Sequence, residues 1–423
     1  MKEAGLPLSL RLYGAASGAA SVFAPAWLKN RTRRGKEHPT RWPERLGRTA
    51  QVRPSGRLAW LHGVSVGEAL SLLPLMERLR AERPEVAILV TTGTLAAAEL
   101  IGARLREGAI HQYAPLDTPG AVRRFLDVWR PDLGVLVESE LWPNLILAAR
   151  SRGVRLALVS AKLSDRSLAG WRRAPGAARA VLAAFDLVLA RDARAADRLE
   201  ALGARVDGLA DLKFGAAPLP VDEAELAQAR GWLGARPVLL AASTHPGEEA
   251  AVLRAFRAVG TGSAPLLILA PRHPTRGDAV ERDARAAGLT VGRRSVGAVL
   301  GEARVYLADT VGELGLWYRL ASLALVGGSL SAGVGGHNPL EPARLGCPFV
   351  SGPWVFAWPV YDALAAAGAS RRVEPGDLAD WFARAIAGDP SLAGMAERAR
   401  SLVAAGDAAA GQAAERVLGL LPA

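Results

Sequence analysis

The segment Val326–Pro348, VGGSLSAGVGGHNPLEPARLGCP, combines the residue types that bind a nucleotide sugar. An apolar strand leads into five glycines and then into a helix that we expect to begin at about Pro339. Glycine lets the backbone adopt positive φ and approach a ligand closely, and amides at a helix start favour an anion. Glu341, one turn into the helix, could accept hydrogen bonds from a ribose diol. The segment predicts a sugar-nucleotide pocket, although a plain tight connection would use the same glycines.

Carboxylates follow two other apolar runs. Strand Arg57–His62 leads into GVSVGE, which places Glu68 at a helix N-terminus, where an acidic side chain is also favourable for the helix dipole alone. Strand Leu133–Val137 ends in ESELWPN, with Glu138 and Glu140 around a turn. These carboxylates could serve a proton transfer, bind a sugar hydroxyl or simply cap helices.

Cationic groups follow further strands. Arg272 and His273 come after Leu266–Ala270, and arginine grips phosphate or carboxylate through paired hydrogen bonds. Lys162 follows Arg155–Ser160 in AKLSDRS. Other strand-end residues are Gly312 and Glu313, after Val305–Ala308. Each could be only a cap or a surface ion pair, but polar groups at so many strand ends favour a ligand site.

The elements that must position these residues are short apolar strands separated by helical patterns. Such strands predict parallel sheets covered on both faces, and ligands of such sheets bind beyond the carboxyl ends of the strands. The linker GAAPLPVDE, Gly215–Glu223, separates two series, which predicts two Rossmann-like domains. No GxGxxG follows the first strand of either series, so a dinucleotide cofactor is not indicated. The remaining strand candidates are Val86–Thr92, Leu187–Ala190, Val238–Ala242, Leu323–Val326 and Pro348–Val350.

Composition narrows the class of partner. Lys and Arg outnumber Asp and Glu by 52 to 41 in 423 residues, a formal charge of +11. This excess fits nucleic acid, an anionic membrane or a phosphorylated substrate, and an Arg-rich genome would also produce it. No helix-turn-helix, zinc finger or aromatic-basic sheet pattern is evident, so nucleic acid is not an expected partner. The single cysteine, Cys347, excludes an intramolecular disulfide framework.

The N-terminus differs from the rest of the chain. Leu12–Leu28 carries no charge and is followed by KNRTRRGK, whose cations would attract anionic headgroups. Seventeen residues is close to the lower limit for crossing a bilayer. We expect an N-terminal membrane-anchoring helix, spanning or interfacial, with the catalytic body on the cytoplasmic side. A soluble helix packed on the body is the alternative.

The order of the motifs resembles the bacterial 3-deoxy-D-manno-octulosonic acid (Kdo) transferase family. The resemblance runs from about residue 35 to residue 400 and rests on a highly specific set of motifs. These are HGVSVGE, APLDTP, ESELWPN, AKLSDRS, DLKF, STHPGEE, PRHPTR, ADTVGELGLWY and GGSL…GGHNPLEPA.

The resemblance implies an α/β fold of the glycosyltransferase B type, with two Rossmann-like domains facing a central cleft. Expected domains are 1–34, the membrane anchor and basic flank; 35–216, binding the acceptor; and 225–423, binding the nucleotide sugar. It implies inverting transfer of Kdo from CMP-Kdo to a lipid A precursor, lipid IVA, in lipopolysaccharide core synthesis. The expected location is the cytoplasmic face of the inner membrane of a Gram-negative bacterium.

The resemblance also implies roles for single residues. Glu68 would be the general base, and Glu138 would position a sugar. Gly328 and Ser329 would present amides and a hydroxyl to the CMP phosphate. The other donor-site residues are expected to be Arg272, His273, Gly312, Glu313, His337, Asn338 and Glu341, and the acceptor-site residues Ser65, Gly67, Glu140 and Lys162.

The chemistry needs no metal ion and no cofactor besides the donor CMP-Kdo, and the sequence has no HxxxH, DxD or Cys/His ligand set. One departure is GPWVFAWPV, Gly352–Val360, where the family commonly carries a GPHTFNF-like stretch, and we assign no site there. Three alternatives remain open: a transferase using another nucleotide sugar, a sugar-nucleotide epimerase, and a non-catalytic lipid-A-binding protein. The expected partners are therefore CMP-Kdo, a lipid A precursor and an anionic membrane surface.

Overall fold

The computed structural model describes residues 5–105, 108–259, 265–300 and 303–421. The chain divides into two compact units, the first formed by Met1–Ala216 with Gly406–Ala423 and the second by Ala217–Ala405. The division after Ala216 falls within the linker segment Gly215–Glu223. The last residues depart from the expected boundaries, because Gly406–Ala423 belong to the first unit and not to the second.

The first unit is built on a parallel seven-stranded sheet of order β3-β2-β1-β4-β5-β6-β7. Strands β1 and β4 are neighbours from which the chain continues in opposite directions, and we call this pair the switch point of the sheet. In doubly wound folds the ligand crevice lies there, beyond the carboxyl ends. The strands are β1 (Leu58–His62), β2 (Ala87–Thr92), β3 (Ala109–Tyr113), β4 (Leu133–Val137), β5 (Arg155–Ala161), β6 (Leu187–Ala190) and β7 (Gly208–Leu209).

Helices cover both faces of this sheet. They are α1 (Leu8–Ala20), α2 (Ala24–Arg33), α3 (Val66–Ser71), α4 (Leu73–Glu82), α5 (Leu95–Gly102), α6 (Pro119–Trp129), α7 (Pro143–Ser151), α8 (Asp165–Arg172), α9 (Pro175–Leu182) and α10 (Ala193–Glu200). Short 3₁₀ turns lie at Ser21–Phe23, Trp42–Leu46 and Leu212–Gly215. One core packs Trp60, Phe125 and Trp129 on one face, and a second packs Met76 and Leu79 on the other.

The second unit repeats the arrangement with the order β10-β11-β9-β8-β12-β13-β14, all parallel, and its switch point is β8 and β12. Its core includes Phe256 and Phe382. The strands are β8 (Val238–Thr244), β9 (Leu266–Pro271), β10 (Val291–Arg293), β11 (Val305–Leu307), β12 (Leu323–Val326), β13 (Phe349–Ser351) and β14 (Arg371–Arg372).

The helices of the second unit are mostly short. They are α11 (Glu223–Leu233), α12 (Glu248–Ala258), α13 (Gly277–Ala286), α14 (Leu314–Leu320), α15 (Leu340–Arg344), α16 (Val360–Ala366) and α17 (Leu378–Ile386), followed by α18 (Pro390–Leu418), which continues into the first unit. Short 3₁₀ turns lie at Pro274–Arg276 and Arg294–Val296. The two parallel sheets confirm the prediction of two Rossmann-like domains.

The N-terminal helices α1 and α2 pack on the first unit. Leu10 is buried in its core, and the Tyr13 hydroxyl donates to Asp117 Oδ2 at 2.9 Å. Asp117 also accepts from the amides of Asn144 and Leu145 and so fixes the start of α7. Among the residues that the structure describes, no helix combines the length and the apolarity needed to cross a bilayer.

Candidate active site

Glu68 lies in the first turn of α3, directly beyond the carboxyl end of β1. Ser65 caps the helix, because its hydroxyl oxygen accepts from the Glu68 amide at 3.3 Å. The Glu68 carboxylate reaches back, accepting from the Val64 amide at 2.7 Å and from the Ser65 hydroxyl at 2.8 Å. These reciprocal bonds resemble a capping box, except that the carboxylate accepts from the Val64 amide instead of the amide of the cap residue Ser65. The sequence S-V-G-E therefore holds a carboxylate in one orientation while it starts the helix.

Burial raises the pKa of the Glu68 carboxylate. Glu68 is only 8% exposed, and desolvation raises its pKa above the ordinary value, against the bonds from Val64 and Ser65. The negative charges of Glu140 and Glu138 raise the pKa further. A carboxylate with a raised pKa accepts a proton more readily than an ordinary glutamate. These properties suit a general base.

Glu138 follows β4 and has a different environment. Its φ of 61° is unusual for a residue other than glycine, and the residue is 6% exposed. Lys213 Nζ donates to Oε1 at 2.9 Å, and Lys162 pairs with Oε2. Burial acts to raise the pKa of Glu138, but Lys213 and Lys162 outweigh it and lower the pKa. Glu138 thus stays ionised and orients two ammonium groups instead of taking up a proton.

Glu140 lies on the same loop, close to a buried histidine. The Trp142 indole donates to Glu140 Oε2 at 2.5 Å, and His62 Nε2 lies 3.8 Å from the same oxygen. The three predicted carboxylates are thus gathered at the switch point of the first unit, after β1 and β4. Of the other predicted acceptor residues, Ser65 caps α3 and Gly67 has open space where a side chain would be.

In the second unit a carboxylate occupies the glycine-rich loop. Glu248 is 1% exposed and accepts from the amides of Gly328 at 2.7 Å, Ser329 at 2.9 Å and Leu330 at 2.8 Å. The Ser329 hydroxyl is buried as well, donating to Val326 O at 2.5 Å and accepting from the Gly352 amide at 2.8 Å. This corrects the expectation that Gly328 and Ser329 offer amides and a hydroxyl to phosphate, because all these groups already have partners.

Glycine is required in this loop for close packing. Gly328 has φ of 67°, and a Cβ there would lie 3.0 Å from the His337 ring. A Cβ on Gly327 would lie 2.7 Å from Ser243 O, at the adjoining end of β8. The glycines let the loop after β12 pass directly against His337 and the loop after β8.

Imidazole groups gather beside this loop. His245 Nε2 and His337 Nε2 are 2.9 Å apart with the rings stacked, so one nitrogen donates and the other accepts. Burial, with help from His245 and Arg272, lowers the pKa of His337 to about 4, and burial also lowers the pKa of His245. His273 approaches His245 edge to face at 6.1 Å. This corner of the second unit therefore presents neutral imidazoles beside a guanidinium.

Arg272 is the open cation of this corner. Its side chain is exposed, and its only hydrogen bond within the described residues is from its own backbone amide to Thr244 O at 3.0 Å. The neighbouring Arg276 is instead held by the buried carboxylate of Glu249 at 2.5 Å. Arg272 is thus the arginine that can bind an added anion.

The helix after the loop begins as expected. Pro339 precedes α15, and the Asn338 side chain accepts from the Leu340 amide at 3.0 Å. Asn338 Nδ2 lies 3.4 Å from Glu341 Oε1, and burial raises the pKa of Glu341. Contact of Glu341 with a ribose stays a prediction.

Glu313 is held by the protein itself. Its carboxylate pairs with Arg294, with a closest contact of 2.6 Å, and Arg294 also pairs with Glu225. Burial acts to raise the pKa of Glu313, but the bonds from Arg294 and Thr310 lower it. Gly312 has φ of 90° and open space beside it. Contact of these two residues with a nucleotide stays a prediction.

The divergent segment Gly352–Val360 packs on the glycine-rich loop. The Trp354 amide donates to Ser329 O, and the Ala357 amide donates to Gly335 O, both at 3.0 Å. Trp354 and Phe356 remain 46% and 67% exposed. In the described parts of the chain, no three His, Cys, Asp or Glu side chains come together as a metal site would require.

Comparison with known proteins identifies the family. A family model described as 3-deoxy-D-manno-octulosonic-acid transferase matches residues 40–216. The 3-deoxy-D-manno-octulosonic acid transferase of Bordetella pertussis is 39% identical over 400 residues, which cover 90% of this chain and 92% of that protein. The chain belongs to the Kdo transferase family. It is a glycosyltransferase.

Solved structures agree on the architecture of this Kdo transferase family member. A glycosyltransferase from Rickettsia africae aligns with a TM-score of 0.56 at 10% identity, covering 87% of this chain and 99% of that one. UDP-GlcNAc 2-epimerase from Neisseria meningitidis aligns with a TM-score of 0.57 at 13% identity, covering 86% and 99%. Likeness at such identity establishes only the fold, which is of the glycosyltransferase B type.

Sequence reasoning had assigned no role to three residues in the Kdo transferase site. Lys213 binds Glu138, His245 pairs with His337, and His62 approaches Glu140. All three lie within quoted motifs, namely DLKF, STHPGEE and HGVSVGE. Nothing in their spacing indicated a partner, because each contact joins segments far apart in the chain or across a turn.

Proposed function

We propose that the chain transfers Kdo from CMP-Kdo to the lipid A precursor lipid IVA, with inversion and without a metal ion. The observation that carries this proposal is Glu68, a buried carboxylate with a raised pKa at the switch point of the first unit. Membership of the Kdo transferase family supports the donor sugar and the pathway.

In the proposed step Glu68 removes the proton from an acceptor hydroxyl. The oxygen then attacks the anomeric carbon of Kdo from the face opposite CMP. The bond from that carbon to the phosphate oxygen breaks, and its electron pair leaves with CMP. General-base catalysis of this kind contributes about 10²–10⁴-fold, and correct positioning contributes much of the rest.

The remaining groups would bind the two substrates. Arg272 would neutralise the phosphate of CMP, His273 would donate a hydrogen bond to it, and Glu341 with Asn338 would bind the ribose. Lys162 and Lys213, oriented by Glu138, would contact an anionic group of a substrate. The stable leaving group CMP, held by these cations, makes a metal ion unnecessary.

The decisive experiment is product mass spectrometry after incubation of the enzyme with lipid IVA and CMP-Kdo. Addition of one or more Kdo units by the wild type, lost in Glu68→Gln and kept in Glu77→Gln, is the expected result. Glu77 is an exposed carboxylate on α4 and serves as the control. CMP should inhibit and UDP should not. Inhibition by UDP alone, or no Kdo adduct from a wild type that binds CMP, would overturn the proposal.

We also propose that the N-terminal helices hold the enzyme on an anionic membrane surface at the cytoplasmic face of the inner membrane. Leu8, Val22 and Phe23 are 67%, 75% and 74% exposed, a costly arrangement in water. Arg33 and Arg34 are exposed at the end of α2, whereas Arg31 is held by Glu37 at 3.0 Å.

Vesicle sedimentation tests the membrane proposal. Arg33→Gln with Arg34→Gln should weaken binding to anionic vesicles by roughly tenfold or more, since each cation near the surface contributes about 1 kcal/mol. The charge-matched control is Arg230→Gln with Arg254→Gln, two exposed positions of the second unit. Equal weakening by both pairs would show a net-charge effect and contradict a specific surface.

A further inference from the structure

His62, the last residue of β1, is a buried side chain with an unsatisfied nitrogen. It is 1% exposed, and its Nδ1 lies 2.8 Å from Thr91 Oγ1. Nε2 has no hydrogen-bond partner within the described residues. Buried polar atoms are nearly always paired, so an orphan at a strand end beside a reactive carboxylate requires a physical account.

The hydrogen bonds around Thr91 indicate which His62 nitrogen carries the proton. The Trp60 indole N–H donates to Thr91 Oγ1 at 2.8 Å, so this oxygen already accepts one bond. Thr91 is fully buried, and the acceptor within reach of its hydroxyl proton is His62 Nδ1. Nδ1 therefore accepts, and in the neutral ring the proton is on Nε2. The result is a fixed N–H donor at the carboxyl end of β1.

The acceptor nearest to this donor is Glu140. Its Oε2 is 3.8 Å from His62 Nε2, somewhat beyond hydrogen-bond distance. The same oxygen accepts from Trp142, which is 40% exposed and lies on the loop that carries Glu140. Contraction of about 1 Å, or one bridging oxygen, would complete the bond, and donors of apo sites often tighten in this way.

We propose that His62 is a positioning residue, whose Nε2–H orients the Glu140 carboxylate toward the acceptor hydroxyl that Glu68 deprotonates. The Trp60–Thr91–His62 series makes the donor rigid, because each of its members is buried in or beside the sheet. The inference rests on the proposed function for its catalytic consequence. The contact between His62 and Glu140 itself does not depend on that function.

Two substitutions of His62 distinguish the contribution of Nδ1 from that of Nε2. Asparagine places its polar atoms near Nδ1 and keeps the contact with Thr91, whereas glutamine reaches the position of Nε2. We expect His62→Asn to lower kcat by roughly tenfold with an unchanged KM for the donor, and His62→Gln to restore most of the rate. Equal loss in both variants, or a change confined to KM, would overturn the inference.

A double-mutant cycle tests whether His62 acts through Glu140. In a Glu140→Ala background, His62→Asn should lower kcat by less than about twofold, because the acceptor of the His62 Nε2–H is already absent. Fully additive losses in the double variant would show that His62 acts independently and would refute the proposal. The wild type must transfer Kdo for this arm, so failure of the wild type rejects the proposed function instead.

A spectroscopic measurement tests the contact without any turnover. In protein labelled with ¹⁵N-histidine, the His62 Nε2 resonance, assigned by its absence in His62→Asn, should show the protonated form. It should shift in Glu140→Gln and stay unchanged in Glu77→Gln. An unprotonated Nε2, or a resonance insensitive to Glu140→Gln, would overturn the inference whatever the activity.

Discussion

The carboxyl ends of the two sheets have the same topology and opposite chemistry. At the switch point of the first unit, Glu68 is buried among other carboxylates, and burial raises its pKa. At the corresponding position in the second unit, Glu248 is buried too, but three loop amides surround it. The carboxylate after the first strand thus has a raised pKa in one unit and holds a loop in the other.

The difference comes from the donors that each carboxylate meets. Glu68 receives one amide and one hydroxyl, and its neighbours Glu138 and Glu140 repel its charge. In the second unit loop amides hold Glu248 and Arg276 pairs with Glu249, whereas Arg272 and His273 are exposed. The carboxyl end of the first sheet therefore favours removal of a proton from a hydroxyl, and that of the second sheet favours binding of an anion.

The largest effect should follow a change at Glu68. Glu68→Gln keeps the capping geometry, since glutamine also completes a capping box, but removes the base. We expect kcat to fall by about 10²–10⁴-fold while CMP affinity, measured by calorimetry, is unchanged. Glu77→Gln is the matched control. A variant that retains a tenth of the wild-type rate would remove Glu68 from the role of base.

The second largest effect is expected for a change at Glu248, which occupies in the second unit the position that Glu68 has in the first. Glu248→Ala leaves the amides of Gly328, Ser329 and Leu330 without their acceptor and should destabilise the second unit by about 3 kcal/mol or more. Hydrogen exchange at these three amides should accelerate, and CMP binding should weaken. Glu374→Ala, at an exposed position of the same unit, should do neither. Unchanged exchange at the three amides would show that Glu248 does not hold the loop.

A smaller effect is expected for the open arginine. Arg272→Ala should weaken CMP binding by roughly tenfold to a hundredfold, as expected for loss of a charged hydrogen bond to phosphate. Arg254→Ala removes an exposed arginine of the same unit and is the control. Equal affinities of the two variants, measured by calorimetry, would place the CMP phosphate elsewhere.

The smallest predicted effect is a shift in pH dependence. Glu68 must be ionised to act as a base, and its pKa is raised, so kcat/KM is lost as the pH falls through that raised pKa. Glu140→Gln removes a neighbouring negative charge, which should lower the pKa of Glu68 and move the acid limb to lower pH. The profile of Glu77→Gln should superimpose on that of the wild type. A shift of the Glu140→Gln limb to higher pH would contradict this electrostatic account.

All ten strands predicted from the sequence are present, with ends within two residues of the expected positions. The four strands that sequence reasoning missed, β3, β7, β10 and β14, are the edges of the two sheets. An edge strand contacts the sheet on one side only, so it can be short or polar, as β7 and β14 are with two residues each. Apolar runs therefore reveal the central strands and leave the edges undetected.

The candidate site was partly predictable for a related reason. The motif S-V-G-E predicts a helix N-terminus at Glu68, and the structure has that helix start, with Ser65 as its cap. The loop GGSLSAGVGG was expected to bind phosphate through the amides of Gly328 and Ser329. In the structure these amides donate to Glu248 instead, which lies 80 residues before Gly328 in the chain. The spacing of residues in the sequence predicts contacts within one segment, but it does not predict a partner that comes from the end of another strand.

The sequence by itself determined the two series of parallel strands, the linker and the residue types at the strand ends, because these depend on local hydrophobic patterns and glycine or proline positions. Tertiary structure alone decided which of the buried strand-end carboxylates are held by cations or amides. Lys162 and Lys213 hold Glu138, loop amides hold Glu248, and Glu68 is left with a raised pKa. The reason is physical: the pKa and availability of a buried group depend on desolvation and on the charges and donors that the fold brings to it.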